Sequence, residues 1–329
     1  MAERGVEGIE SVAVLGGGTM GGGIAGHLAR AGVRVALVDA SPDLSRTARE
    51  RLLERTRGHV AAGLLPPDAT DGTARIETPA DMEAAVAGVD LVIEAVPEDA
   101  TRKDEVLRRC AAAAPVEAII ASNTSSLPIE GLAASVSEPG RFLGVHWFNP
   151  PEWTPGIEII PAPSTTRETV DRAIAFLRAV GKRPAEVADR AGFVANRLQS
   201  ALLREAIACV EEGLASPDDL DEVVRSTFGF RLPFFGPFAI ADMAGLDVYK
   251  SVFETLERDV GPEFAPPAVL REHVEAGRFG TKSGQGFRTW SEDEREALLL
   301  ERDRRYAALA ELLQELPPQR FSRRLRPGP

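Results

Sequence analysis

Short apolar runs alternate with stretches of helical spacing over the first half of the chain. Val12 to Leu15 read as a short buried strand, and Gly16 to Gly23 form a glycine-rich turn that enters a helix ending near Gly32. Val33 to Val38 read as a second strand, closed by Asp39. A strand–helix–strand unit of about thirty residues suits a parallel pair, whose connection must cross back over the sheet. "DLVIEAVPE" (Asp90 to Glu98) and "AIIASNTSS" (Ala118 to Ser126) predict two further strands with loops at their C-terminal ends. "GVHWFNPPEWTPGIEII" (Gly144 to Ile160) holds two more apolar runs with three prolines between them. This alternation predicts an α/β fold, a doubly wound sheet with helices on both faces.

The pattern changes after Val187. "GFVANRLQSALLREAIACVEEGLAS" (Gly192 to Ser216) is one long helical pattern with few strand signals. More helices are predicted around Pro217 to Thr227, Ala239 to Leu256 and Pro267 to Ala276, with "PFFGPF" as a bend among them. The expected organisation is a sheet domain over residues 1–187 and an all-α domain over residues 188–329. The basic tail "RFSRRLRPGP" is expected to be mobile.

Composition narrows the class. The 329 residues suggest about two domains, and 44% hydrophobic with 27% charged residues is an ordinary soluble composition. No apolar run approaches the roughly eighteen residues of a membrane span. "MAERGVEGIE" lacks the basic and apolar regions of a signal peptide. Two cysteines, Cys110 and Cys209, give no disulfide framework, so a cytoplasmic protein is expected. The net charge of −12 argues against general nucleic-acid affinity, yet leaves room for a local basic pocket. No metal site is expected.

Gly16, Gly18 and Gly21 form G-x-G-x-x-G, with Thr19 and Met20 in the turn. The first glycine permits a tight turn, the second lets a pyrophosphate approach the backbone, and the third allows close helix–strand packing. The helix start offers free N–H groups and a positive dipole end to that anion. The motif sits between a strand and a helix, and Asp39 ends the next strand, where it can hold both ribose hydroxyls of NAD and repel the extra phosphate of NADP. The pattern predicts a Rossmann-type dinucleotide site. The plainer alternatives are a turn without a ligand, a helix-capping Asp39, or Asp43 as the ribose acid.

An NAD enzyme oxidising an alcohol needs a base for the hydroxyl proton, and histidine titrates near neutrality. Of four histidines, His27, His59 and His273 fall in helical segments. Only His146 follows an apolar run late in the sheet, at the edge where open α/β folds bind ligands. If the two apolar runs pair, Glu158 can reach its imidazole, fix the tautomer and stabilise the imidazolium. The alternative is a structural histidine with a solvent-facing glutamate.

Five segments, "VLGGGTMGGGIA", "ASNTSSLPI", "GVHWFNPPEWTPGIEII", "DRAGFVANRL" and "GRFGTKSGQGF", resemble the L-3-hydroxyacyl-CoA dehydrogenase family and occur in its order, from about Ser11 to Phe287. The resemblance implies that His146 is the catalytic base and Glu158 its paired acid. It implies that Ser125 contacts the reacting oxygen and that Asn196 completes the substrate's polar contacts. Asn149 would lie near the nicotinamide ribose, and Glu98, Lys103 and Lys282 on the cofactor side, Lys282 reaching it from the C-terminal domain. A homodimer through the C-terminal helices is implied as well, with "ALLREAIACV" and "PFFGPFAIADMAGLDVY" apolar enough to form it. From the residues alone, "SNTSS" is also a turn and helix cap, Asn196 a solvent-facing polar residue, and Lys282 a turn lysine.

Departures from the family concern the substrate. Arg55 and Ala62 align near its CoA contacts, within a segment that carries Arg46, Arg49, Arg51, Arg55 and Arg57. These arginines could meet phosphates or form a solvated face of i, i+4 pairs. "PEWTPGIEI" stands where the family has a small and aliphatic run leading to the glutamate, and Trp153 within it would reshape the pocket mouth. Three functions follow: a stand-alone NAD-dependent 3-hydroxyacyl-CoA dehydrogenase acting on an acyl-CoA; a relative oxidising a small hydroxy acid or ring alcohol without CoA; and a non-catalytic NAD-binding protein. Joint retention of Ser125, His146, Glu158 and Asn196 weighs against the last.

Overall fold

Strand β1 (Ser11–Leu15) is buried along its whole length, so its alternate residues serve two cores. Val12 and Val14 join one cluster with Ile24 and Leu28, while Ala13 and Leu15 join another with Val92, Leu107 and Ile120. A strand covered on both faces reads as a continuous apolar run rather than an alternating one. The computed structural model describes residues 8–316, and the basic tail from Arg320 lies outside them.

The strands are β1, β2 (Arg34–Val38), β3 (Leu91–Glu94), β4 (Ile119–Ser122), β5 (Phe142–Trp147), β6 (Gly156–Pro161) and β7 (Arg183–Glu186). They form one sheet in the order β2-β1-β3-β4-β5-β6-β7. The first five are parallel, and β6 pairs antiparallel to β5. Helices α1 (Thr19–Arg30), α2 (Pro42–Ala61), α3 (Ala69–Ala74), α4 (Met82–Val86), α5 (Ala100–Ala113), α6 (Ile129–Ala133) and α7 (Arg167–Ala179) lie between strands. The chain moves from β1 to β2 on one side and to β3 on the other, so a crevice opens at the C-terminal ends of β1 and β3.

The second half is helical: α8 (Ala195–Glu211), α9 (Pro217–Ser226), α10 (Phe228–Arg231), α11 (Pro237–Ala244), α12 (Leu246–Asp259), α13 (Ala268–Glu275) and α14 (Glu292–Glu315). The single helix predicted over 239–256 is two, divided at Gly245, whose φ of 106° a helix cannot hold. Contact density divides the chain into Met1–Leu203 and Arg204–Pro329, a division inside α8, whereas the sequence pattern changes at 187/188. The first turns of α8 fall with the sheet because the backbone N–H of Ala195 and the side chain of Asn196 bond to sheet-unit residues. Among the described residues no helix is long and apolar enough to cross a membrane.

His27 on α1 is a histidine that the fold needs neutral. Its Nε2 lies 2.9 Å from the Val180 carbonyl, where it must donate. Burial first, and then the Lys182 charge, push its pKa down to about 4 against that hydrogen bond. The folded value lies below the unfolded 6.5, so the unfolded chain takes up the proton first. Stability present above that value should therefore fall as the pH drops toward about 4. Thermal melts between neutral pH and about pH 4.5 should show a shallower loss for His27→Gln than for the parent chain; equal slopes would remove His27 as a contributor.

Candidate active site

Pairing of β5 with β6 sets His146 directly opposite Glu158. Both side chains are buried, and Nδ1 of His146 lies 2.9 Å from Oε2 of Glu158. A carboxylate at Nδ1 fixes the proton there and leaves Nε2 as an acceptor. Nε2 lies 3.1 Å from Oγ of Ser125, which comes from the loop after β4. The imidazole is flanked by Phe148 and Phe193, with ring centroids 4.4 and 5.6 Å away.

The other oxygen of Glu158 accepts the backbone N–H groups of Val194 (3.0 Å) and Ala195 (2.8 Å). The first N–H groups of a helix have no partner within it, so a strand carboxylate here acts as a remote cap for α8. Phe193, just before them, has a φ of 48°, which is strained for a bulky residue and worth about 1–3 kcal/mol. That strain accompanies the chain's turn toward Glu158. Asn196, in the first turn, donates from Nδ2 to the Ser125 carbonyl at 3.0 Å.

The Ser125 loop is held from below. Oε1 of Glu98 accepts the Thr124 hydroxyl (2.6 Å), the backbone N–H groups of Ser125 (2.9 Å) and Ser126 (3.0 Å), and the Ser126 hydroxyl (2.9 Å). Its other oxygen lies 3.4 Å from Nζ of Lys103. Burial would raise the Glu98 carboxyl, but the Thr124 hydrogen bond and the Lys103 charge outweigh it and bring it to about 2. Lys103 is 1% exposed and also donates to Glu94 (2.7 Å), a fully buried carboxylate that accepts the Ser122 hydroxyl. The structure thus brings Glu98 and Lys103 together as the anchor of the Ser125 loop. Asn123 Oδ1, in the same loop, accepts the Trp147 N–H at 2.8 Å and ties it to β5. Asn149 follows, joined to Pro150 by a cis peptide bond.

The glycine turn lies at the same sheet edge. A Cβ on Gly16 would stand 2.5 Å from the Ala95 carbonyl oxygen, and one on Gly21 only 1.9 Å from that of Gly16. Gly18 differs, because a Cβ there would meet nothing within 4 Å. The start of α1 at Thr19 and Met20 has no side-chain cap. Asp39 ends β2, with one oxygen accepting the Gly17 N–H (2.9 Å) and the other that of Ala40 (2.7 Å).

Residues 11–190 match the profile of the 3-hydroxyacyl-CoA dehydrogenase NAD-binding domain, and residues 192–290 match that of the same family's C-terminal domain. The chain belongs to the 3-hydroxyacyl-CoA dehydrogenase family. It is 36% identical over 285 residues to 3-hydroxybutyryl-CoA dehydrogenase of Mycobacterium tuberculosis, covering 86% of this chain and 99% of that one. It is 39% identical over 307 residues to 5-formyl-3-hydroxy-2-methylpyridine 4-carboxylate 5-dehydrogenase of Mesorhizobium japonicum, covering 93% and 99%. A solved 3-hydroxyacyl-CoA dehydrogenase of Archaeoglobus fulgidus superposes with a TM-score of 0.75 at 33% identity, covering 93% and 99%.

This family member is an NAD-dependent oxidoreductase acting on an alcohol group, and its residues fit the cofactor. Open space at Gly18 and an uncapped helix start suit a pyrophosphate, and each Asp39 oxygen keeps a lone pair for a ribose hydroxyl. Lys282 sits in the second unit, 2.6 Å from Asp247. Its segment is organised by Asp242, which is fully buried and accepts the N–H groups of Phe287 (2.8 Å) and Arg288 (3.1 Å).

Arg55 forms an ion pair with Glu152, whose side chain is 5% exposed. Trp153 packs edge-on against His59 of α2, with ring centroids 5.6 Å apart. Arg46 pairs with Asp43 and Arg57 with Glu54, and Arg49 bonds to the carbonyls of Ala74 and Ile76. Glu94, Glu152 and Asp242 lie outside the motifs that point to the site in the sequence. Glu94 had a signal, a lone acid inside "LVIEAV", and Glu152 a weaker one between prolines and a tryptophan.

The glycines separate fold from ligand. Gly18→Ala should fold with an almost unchanged melting temperature yet bind NADH about tenfold or more weakly, because its new methyl enters only the open space. Gly21→Ala should lose stability, since its methyl meets backbone. Fluorescence titration with NADH and thermal melts check both, and equal NADH affinity in Gly18→Ala would remove Gly18 from the cofactor site.

Proposed function

We propose that the chain oxidises an L-3-hydroxyacyl-CoA to the 3-ketoacyl-CoA, with His146 as general base and Glu158 as its partner. The observation that carries this reading is the line Ser125 Oγ, His146 Nε2, His146 Nδ1, Glu158, with gaps of 3.1 and 2.9 Å. NAD, when bound, accepts the hydride from the alcohol carbon. His146 Nε2 takes the hydroxyl proton, and Glu158 stabilises the resulting imidazolium without taking that proton itself. Ser125 shares the reacting oxygen with the histidine. Asn196 has one amide hydrogen on the Ser125 carbonyl and a second for the substrate oxygen. These donors also polarise the ketone in the reverse direction.

A second reading drops CoA. The Arg55–Glu152 ion pair supports it, because a guanidinium already matched to a nearly buried carboxylate is a poor phosphate contact. The Mesorhizobium relative, named for a pyridine carboxylate, points the same way. In this reading Trp153 and His59 border a site for a small hydroxy acid or ring alcohol. Under either reading we place the protein in the cytoplasm as a homodimer through the C-terminal helices. Leu198, Leu203 and Ile207 on α8 are each at least half exposed in the single chain, which supports that assembly.

Loss of NADH absorbance with acetoacetyl-CoA tests the first reading. Turnover that falls by about 10²–10⁴ in His146→Ala and in Glu158→Gln supports it. Absence of turnover on short and long ketoacyl-CoA substrates, with NAD reduction by a free hydroxy acid or ring alcohol, selects the second. Glu98→Ala should lower kcat about tenfold or more while NADH affinity changes little, because its carboxylate is engaged by the Ser125 loop. A matching loss of NADH affinity would instead put Glu98 on the cofactor.

A further inference from the structure

Residues 148–155 join β5 to β6, so this loop links the strands that carry His146 and Glu158. Asn149 stands near its start and Trp153 further along it. Its one acid is Glu152, whose side chain the fold turns inward and leaves 5% exposed. A carboxylate that gives up water needs a strong partner. Arg55 of α2 pairs with it, and its charge acts as well on Arg30 of α1 and on Lys182. Three cations from separate parts of the chain therefore face one anion.

A second contact needs no charge. A Cβ on Gly23 would stand 2.5 Å from Cγ of Pro151 and 3.0 Å from Oε2 of Glu152. Gly23 lies in the second turn of α1, the helix that starts at the glycine turn, so the loop rests directly on that helix's backbone. Lys182 holds the loop's own backbone, donating to the carbonyls of Pro151 and Thr154. Next to Glu152, the Trp153 ring meets His59 of α2. The His146–Glu158 pair is set by strand register and does not depend on this seat.

We propose that Glu152 is a positioning residue, which seats the β5–β6 loop on α1 and α2 and so fixes Asn149 and Trp153 at the mouth of the active site. It does not touch the reacting atoms. The proposal rests on the dehydrogenase reading only for the loop's place at that site. A freed loop leaves the base and its partner in register and blurs the wall that meets the substrate. The loss therefore falls on KM and not on kcat.

The test is Glu152→Gln in the full chain, which keeps the shape of the side chain and removes the charge that the cations face. KM for acetoacetyl-CoA, or for free 3-hydroxybutyrate with NAD where the thioester is inert, should rise about tenfold with kcat within about threefold. Acrylamide quenching of tryptophan emission should rise as Trp153 leaves His59, and the rise should vanish when Trp153→Phe is added. Gly23→Ala, whose methyl meets Pro151, should repeat both changes without altering a charge. Arg55→Gln stands in if Glu152→Gln does not fold. An unchanged KM overturns the proposal, as does a fall in kcat at constant KM, or a rise in quenching that survives Trp153→Phe. If neither substrate turns over, the dehydrogenase reading is what fails, and unchanged quenching then overturns the seating of the loop by itself.

Discussion

The carboxylate of Glu158 is the point at which sheet, helix and chemistry meet. One oxygen orients His146 and the other caps the backbone at the start of α8. Both jobs depend on the antiparallel pairing of β5 and β6, which sets the two residues opposite each other. The helix so capped carries Asn196, which returns to the Ser125 carbonyl and closes a ring of contacts around the imidazole. Moving this carboxylate by one residue in register would turn it to the other face of the sheet and break every one of these links.

A second support lies under the Ser125 loop. Glu94 and Lys103 form a polar island between β3 and α5 in an otherwise apolar layer. A buried ion pair is weak evidence for stability, since its desolvation opposes its attraction. Its effect here is geometric. Lys103 fixes Glu98, and Glu98 collects four donors from three consecutive residues. A loop with that many bonds to one carboxylate has little freedom to turn Ser125 away from His146.

Much of this was legible in the sequence. The strand–glycine–helix–strand unit, the late apolar runs and the helical second half each follow from periodicity, and the order of motifs fixed the family. The pairing of His146 with Glu158 was readable as a possibility that hung on two runs lying side by side. Strand β7 was not readable, because "RPAE" is short and largely exposed and lacks the apolar run that marks a buried strand. Gly245 divides a helical pattern through its conformation, not its polarity. Arg55 showed its charge in the sequence, but its partner Glu152 lies far along the chain, and only folding brings them together. The cofactor-side roles of Glu98 and Lys103 rested on resemblance, whereas the fold shows what their atoms touch within the protein.

The proline-rich loop between β5 and β6 is fixed largely by ions. Glu152 meets Arg55 of α2, and Lys182 donates to the carbonyls of Pro151 (2.6 Å) and Thr154 (2.9 Å). The Arg55 side of this clamp is 38% exposed, while the His146–Glu158 pair is almost wholly sheltered. Dissolved salt screens exposed charges over about 10 Å and reaches buried ones far less. The loop and the His146–Glu158 pair at its root therefore answer differently to ionic strength. A salty medium weakens the exposed Arg55 end of the loop that carries Trp153 before it reaches the sheltered histidine.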